Sequence, residues 1–259
     1  MTRRLAMILL LVSGLPGDSS AQSQREVVSL GHEVAWSRKD LSNPLDGWLQ
    51  VVTFDSSKVK VEVLARGTKE TALPMHRWMT EENVIAGCNG GYFDPATFAP
   101  AGLQVVQGRA TGEYQQFGEW GGGVGVRSGK AQIWTEKEIL SMRIFEAESF
   151  VQCSPVLVDG VRRFTGAGED VRVRRTFIAH DGGSLWAMGV TSRIGLRELA
   201  ALLANQGPGL VGFKVNRALN LDGGPSSGLW GKDEMGKVVV HEKEMWFVKN
   251  CVVIRPLQK

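Results

Sequence analysis

Residues 195–224 read GLRELAALLANQGPGLVGFKVNRALNLDGG, and this stretch decides the fold class. Leu196, Leu199, Ala200 and Leu203 recur at i, i+3, i+4 and i+7, which predicts a helix over 195–206 with Gly207 as its C-terminal cap. Ala218 to Leu221 then reads as a strand ending at Asp222-Gly223-Gly224. Outward from here the chain is mostly strand-like. Trp48–Phe54 alternates, and Lys58–Leu64 places Val59, Val61 and Val63 on one face. Val84–Cys88 is a compact apolar run that leads straight into Asn89-Gly90-Gly91-Tyr92-Phe93. Trp246–Ile254 predicts a last, central strand. Primed-turn signals stand at Gln107-Gly108, Ser128-Gly129, Asp159-Gly160 and Asp181-Gly182-Gly183. Pro74–Glu82 and Lys137–Glu148 are the remaining helical candidates. The expectation is a single α+β domain, a mostly antiparallel or mixed sheet with a few helices.

Composition narrows the function. The chain has 259 residues, 43% of them hydrophobic and 22% charged, enough to bury a substantial core. A formal charge of +3, with Arg3 and Arg4 at the N-terminus, is not a nucleic-acid-binding pattern. Those two arginines, the apolar run Leu5–Leu15 and the small residues Ser19-Ser20-Ala21 form a secretory leader pattern over 1–21. The run is too short to span a membrane. The expected product is secreted or periplasmic, spans 22–259 and carries no membrane anchor once the leader is removed. Cys88, Cys153 and Cys251 sit in apolar runs and read as small buried hydrophobes. No zinc spacing and no dinucleotide fingerprint is present, so neither metal nor cofactor is expected.

Glycine is the outlier, with 32 residues, or about 12% against a usual 7% or so. Four clusters stand out, at 90–91, 121–123, 182–183 and 223–224. Two of them follow an apolar strand and a polar side chain, Asn89 and Asp222, where backbone can approach a ligand and N–H groups can face an anion. Gly224-Pro225-Ser226-Ser227-Gly228 also matches the nucleophile elbow of serine hydrolases. That turn requires a following helix and a later acid and histidine, whereas the sequence continues in strand-like residues with only His241 downstream.

The ordered blocks Asn89-Gly90-Gly91-Tyr92-Phe93, Ser154-Pro155-Val156-Leu157-Val158-Asp159-Gly160, Arg175-Thr176-Phe177-Ile178 and Asn220-Leu221-Asp222-Gly223-Gly224-Pro225-Ser226-Ser227 resemble the phosphodiester glycosidase family over roughly 84–254. Pro225 departs from that pattern, where glycine is frequent. The resemblance implies hydrolysis of a sugar 1-phosphodiester at the glycosidic carbon. In that reading Asp222 is the nucleophile or the base for water, and Arg175 clamps the phosphate. Asn89 hydrogen-bonds the sugar or orients Asp222. Gly223, Gly224, Ser226 and Thr176 add hydrogen-bonding groups, and Tyr92 or Phe93 stacks on the sugar. Asp94, Asp159 and Glu119 are the candidates for a second carboxylate. The substrate expected is a sugar phosphate or glycan; the alternative is an exported glycan-binding protein without turnover.

Overall fold

The structure, a computed structural model, describes residues 26–41, 46–141 and 146–257. The expected leader lies outside these residues. In chain order, strands β1 (Glu26–Gly31), β2 (Val34–Leu41), β3 (Gly47–Asp55) and β4 (Val59–Ala65) precede helix α1 (Met75–Glu81) and β5 (Ala86–Asn89). Two hairpins follow, β6 (Gln104–Val106) with β7 (Arg109–Thr111), and β8 (Gly122–Arg127) with β9 (Lys130–Thr135). After α2 (Glu136–Ser141) come β10 (Ser149–Cys153), β11 (Val156–Asp159), β12 (Arg162–Arg163), β13 (Thr176–His180) and β14 (Leu185–Thr191). Helix α3 (Leu196–Leu210) leads to β15 (Arg217–Asn220), then β16 (Leu229–Lys232), β17 (Val238–Glu242) and β18 (Asn250–Pro256).

These strands form three sheets, ordered β1-β2-β3-β14-β13-β15-β11-β12, β7-β6-β10-β8-β9 and β17-β16-β5-β18-β4. The ladders between them are antiparallel. The period-2 rule explains how one core serves all three. Along the central strands of the first sheet, Val52, Ile178, Met188 and Val190 face a core shared with Val61, Val124, Val151 and Val252 of the other sheets. Their neighbours Val51, Phe177, Ala179 and Ala187 face the opposite way, onto Leu199, Ala200 and Leu203 of α3. Helix α1 covers the third sheet through Met75, Trp78 and Met79, and α2 covers the second through Ile139. The sheet-rich α+β reading fits this arrangement, and all four primed-turn signals lie between paired strands.

Three boundaries differ from the sequence reading. Helix α3 does not stop at Gly207 but runs through Pro208 to Leu210. Leu210 is buried in the core beneath it, and a side chain at 207 would meet the Phe213 carbonyl at 2.8 Å, so glycine serves close packing rather than capping. The last strand starts at Asn250, not Trp246. Tertiary bonding takes the preceding segment out of the sheet: Met245 N and Trp246 N both donate to the Pro225 carbonyl, at 2.7 and 3.2 Å. Helix α2 ends at Ser141; residues 142–145 lie outside the described ones and β10 begins at Ser149.

Candidate active site

The ends of strands from all three sheets meet around Asp222. Residue 222 follows β15, Asn89 ends β5, Arg175 precedes β13 and Cys153 ends β10. Asn89 is the fastener. Its Nδ2 donates to the Asp222 carbonyl at 2.7 Å, and its Oδ1 accepts from Thr176 Oγ1 at 2.7 Å and from Gly228 N at 3.1 Å. Asp222 N donates to the Gly90 carbonyl at 2.9 Å, closing the clasp from the other side. Asn89 and Thr176 are fully buried. This geometry places Asn89 behind Asp222, not against a sugar, and it takes Thr176 out of substrate contact.

Asp222 itself is half-buried. Burial raises its pKa above the usual carboxylate range, against the opposing pull of the Ser226 hydroxyl and the Gly223 N–H. Gly223 N donates to Asp222 Oδ1 at 2.9 Å. Among the described residues no cation pairs with this carboxylate. Tyr92 lies close by: its pKa is raised first by burial and then by the charges of Cys153 and Asp222. The Tyr92 hydroxyl donates to the Ser154 carbonyl and accepts from Asn220 Nδ2 at 3.2 Å, so it is anchored edge-on to Phe117 rather than free.

Arg175 is half-buried behind the same loop. Nε donates to the Ile194 carbonyl at 3.2 Å and Nη2 to the Val171 carbonyl at 2.6 Å. A side chain at Gly223 would come within 3.7 Å of Arg175 Nη1, the nitrogen left without a protein partner. The fork is therefore partly committed, and it presents one edge behind Gly223 rather than two. Desolvation lowers its pKa, yet a guanidinium remains charged at neutral pH.

The glycine pairs need a different account from the one their sequence context invites. Gly90 faces Asn250 Oδ1, where a Cβ would sit 2.1 Å away, and Gly91 faces Val151 and the Gln152 carbonyl at 2.5 and 2.7 Å. Protein fills that space, so this pair serves packing, with Gly91 N donating to Asn250 Oδ1 at 2.7 Å. Nor do Gly223 and Gly224 offer free N–H groups, because Gly224 N is bonded to the Arg174 carbonyl at 2.8 Å. What Gly224 supplies is a φ of +58° at the start of a 3-10 turn over Gly224–Ser226. That turn feeds β16 and not a helix, which removes the serine-hydrolase geometry. Ser226 is buried and its hydroxyl serves Asp222.

Phe93 diverges from the site. It stands edge-on to Phe98 at 5.3 Å, packs toward the cluster under α1 and lines a separate groove. The three second-carboxylate candidates are engaged elsewhere. Asp94 caps the N–H groups of Ala96 and Thr97, Asp159 pairs with Arg217 at 2.9 Å, and Glu119 pairs with Arg162. The cysteines are free thiols, buried, with their pKa values pushed up by desolvation. Sequence reasoning passed over Asn220, whose Nδ2 also donates to the Ser154 carbonyl at 2.8 Å. Its spacing of two from Asp222 was the available signal, since residues two apart in an extended segment share a face.

The sheet-rich scaffold thus carries a half-buried carboxylate on a strand-end loop and, behind the glycine that follows it, a partly committed guanidinium. The chain belongs to the phosphodiester glycosidase family, whose model matches residues 82–255 and so takes in Asn89, Arg175 and Asp222. Comparison with curated proteins returns no match. Among solved structures, the catalytic domain of zebrafish N-acetylglucosamine-1-phosphodiester alpha-N-acetylglucosaminidase, auto-inhibited by its pro-peptide, is similar at TM-score 0.66 and 16% identity, over 90% of this chain and 87% of that one. A hypothetical protein from Synechocystis is similar at TM-score 0.62 and 14% identity, over 90% of this chain and 64% of the other. A Burkholderia pseudomallei protein described as exported gives TM-score 0.51 and 13% identity, over 81% and 74%. At these identities the likeness is one of fold. No helix among the described residues is long and apolar enough to cross a membrane.

Proposed function

We propose that this protein hydrolyses a sugar 1-phosphodiester at the glycosidic carbon, releasing the sugar and a phosphomonoester. The observation that carries the reading is the half-buried Asp222 with no cation partner, seated where three sheets meet, with the free edge of Arg175 behind the following residue, Gly223. A phosphate leaving group is a weak base and departs without a proton donor, so one carboxylate suffices and the missing second one is no obstacle. Asp222 acts as the base. It takes a proton from water as the water oxygen bonds the anomeric carbon, and the carbon–oxygen bond breaks with its electrons going to the phosphate. Burial, by strengthening the hold of Asp222 on a proton, suits a base better than a nucleophile. Arg175 Nη1 meets the charge that grows on the departing phosphate.

Export through the leader at 1–21 belongs to the same proposal, and the N-terminal mass of protein recovered from culture medium or periplasm tests it. The activity test is release of free sugar from synthetic glycosyl phosphodiesters. Direct attack by water predicts inversion at the anomeric carbon, read by proton NMR of the first-formed sugar. Retention would make Asp222 a nucleophile instead. Binding of the diester without any turnover would favour the non-catalytic glycan-binding alternative.

A further inference from the structure

Arg174 adjoins Arg175 in the chain and is bonded to the loop that carries Asp222. The carbonyls on either side of it face one way: that of Val173 accepts Ile194 N and that of Arg175 accepts Thr191 N, both at 2.9 Å. The Arg174 carbonyl instead accepts Gly224 N at 2.8 Å. A Cβ at Gly223 would lie 3.0 Å from this oxygen, so residue 223 must be small for the bond to form. The side chain is committed as well. Nη1 donates to the Lys243 carbonyl at 3.0 Å, and Nη2 pairs with Glu242 Oε1 at 2.9 Å. Glu242 is braced from behind: its Oε2 accepts Gln50 Nε2 at 3.0 Å, and Gln50 Oε1 accepts Trp36 Nε1 at 3.2 Å. The segment after Glu242 returns to the Asp222 loop, where Met245 N and Trp246 N donate to the Pro225 carbonyl. Segments 173–175, 222–226 and 242–246 thus form a ring, each bonded to the other two, and the Arg174 guanidinium closes it.

We infer that Arg174 is a positioning residue, whose guanidinium fixes the 174–224 bond and through it the placement of Asp222 relative to Arg175. The inference rests on the proposed hydrolysis for what is positioned. Arg175 adjoins the carbonyl of this bond, and Asp222 lies just before the two glycines at its other end, so a shift of the link moves the base relative to the phosphate. With its charge met by Glu242, Arg174 leaves the phosphate to Arg175. The fork holds Glu242 and the Lys243 carbonyl together, which a single ammonium does not do.

The test is Arg174→Met, which keeps an unbranched side chain and removes the fork. With a synthetic glycosyl phosphodiester, kcat falls about tenfold to a hundredfold, while the dissociation constant of inorganic phosphate stays within about twofold, because Arg175 and its own partners are untouched. Arg174→Lys meets Glu242 alone and keeps part of the lost rate; the same comparisons on it decide the matter if Arg174→Met does not fold. A merely structural role would lower the melting temperature and leave kcat unchanged below it. Hydrogen exchange at the Gly224 amide supplies a readout independent of catalysis: it quickens at least about tenfold in Arg174→Met, while the Asp222 amide, held by Gly90, stays protected. If wild type turns over no diester, the proposed hydrolysis fails and the exchange at Gly224 still decides the ring. Unchanged kcat overturns the inference, as does unchanged exchange at Gly224. Phosphate binding weakened by about tenfold or more overturns it too, because Arg174 would then touch the substrate itself.

Discussion

Asp222 carries a cost that its surroundings reveal. Its hydrogen bonds to Gly223 N–H and Ser226 favour the charged form, but desolvation outweighs them and the folded-state pKa is raised. The folded protein therefore holds this proton more tightly than the unfolded chain does. The group's contribution to stability is present in acid and is lost as pH rises from 3.8 through the folded-state value. Asp222→Asn removes the ionisation and keeps an acceptor for Gly223. The variant should melt at a higher temperature than wild type at neutral pH and at about the same temperature in strong acid, while turnover falls by about a thousandfold or more. Calorimetric melts at several pH values, beside the sugar-release assay, check both halves. Thr176→Val probes the clasp. It strips one of two donors from the buried Asn89 Oδ1, costs about 1 kcal/mol and, by letting the Asp222 carbonyl shift, lowers turnover about tenfold to a hundredfold. Denaturant titration and steady-state rates test this, and unchanged kinetics would separate the clasp from the chemistry. Asp222 was legible in the sequence because a polar residue between a strand and a glycine pair is a local signal. The clasp was not, since Asn89 and Thr176 are brought together by strands 87 residues apart.

At the scale of elements, local chemistry was the reliable guide. The turns at Gln107-Gly108 and Ser128-Gly129 adopt left-handed backbone at both residues, with φ of 49° and 73° and of 50° and 72°, as their type demands. Where a distant element intervened, sequence reading failed: Pro225 holds Trp246 out of the sheet, and the underlying core draws Leu210 into α3. The cluster 121–123 shows a third case. A Cβ at Gly123 would sit 2.2 Å from the Phe150 ring, and at nearby Gly125 it would lie 2.0 Å from the Ser149 carbonyl. These glycines in β8 allow β10 to approach, a requirement set by the partner strand and invisible in β8 alone. Gly125→Ala must push backbone from backbone and should cost about 3 kcal/mol or more. Gly108→Ala meets open space and pays only for its positive φ, about 1–2 kcal/mol. Urea unfolding of the two variants should rank them in that order; a milder effect at 125 would mean that β8 and β10 can part without cost.

Across the whole molecule, strand β13 links two ends with opposite demands. Thr176 at one end secures the candidate site, while His180, about 13 Å away at the rise of an extended strand, closes a cleft lined by Trp134, Trp186 and Arg217. His180 rests against Trp186, and its Nδ1 accepts the Gly182 N–H at 2.9 Å, which requires the neutral ring. Desolvation and then Arg217 lower its pKa to about 4, against weaker opposing effects of Asp181 and Glu138. Between pH 6.5 and 4 the unfolded chain takes up a proton that the folded protein refuses. Stability from this group is thus complete above 6.5 and is lost on acidification, up to about 3 kcal/mol by pH 4. Asp222 works with the opposite sign, so part of the loss is masked in wild type and exposed in Asp222→Asn. His180→Asn retains an acceptor for Gly182 but does not titrate. Its unfolding free energy should fall less than that of wild type between pH 6.5 and 4, with sugar release at neutral pH unaffected because the substitution lies at the far end of the strand. Parallel losses in the two proteins would place the acid sensitivity in other groups. A loss of turnover in His180→Asn would show that the two ends of β13 are coupled, so that the cleft at His180 acts on the chemistry at Asp222.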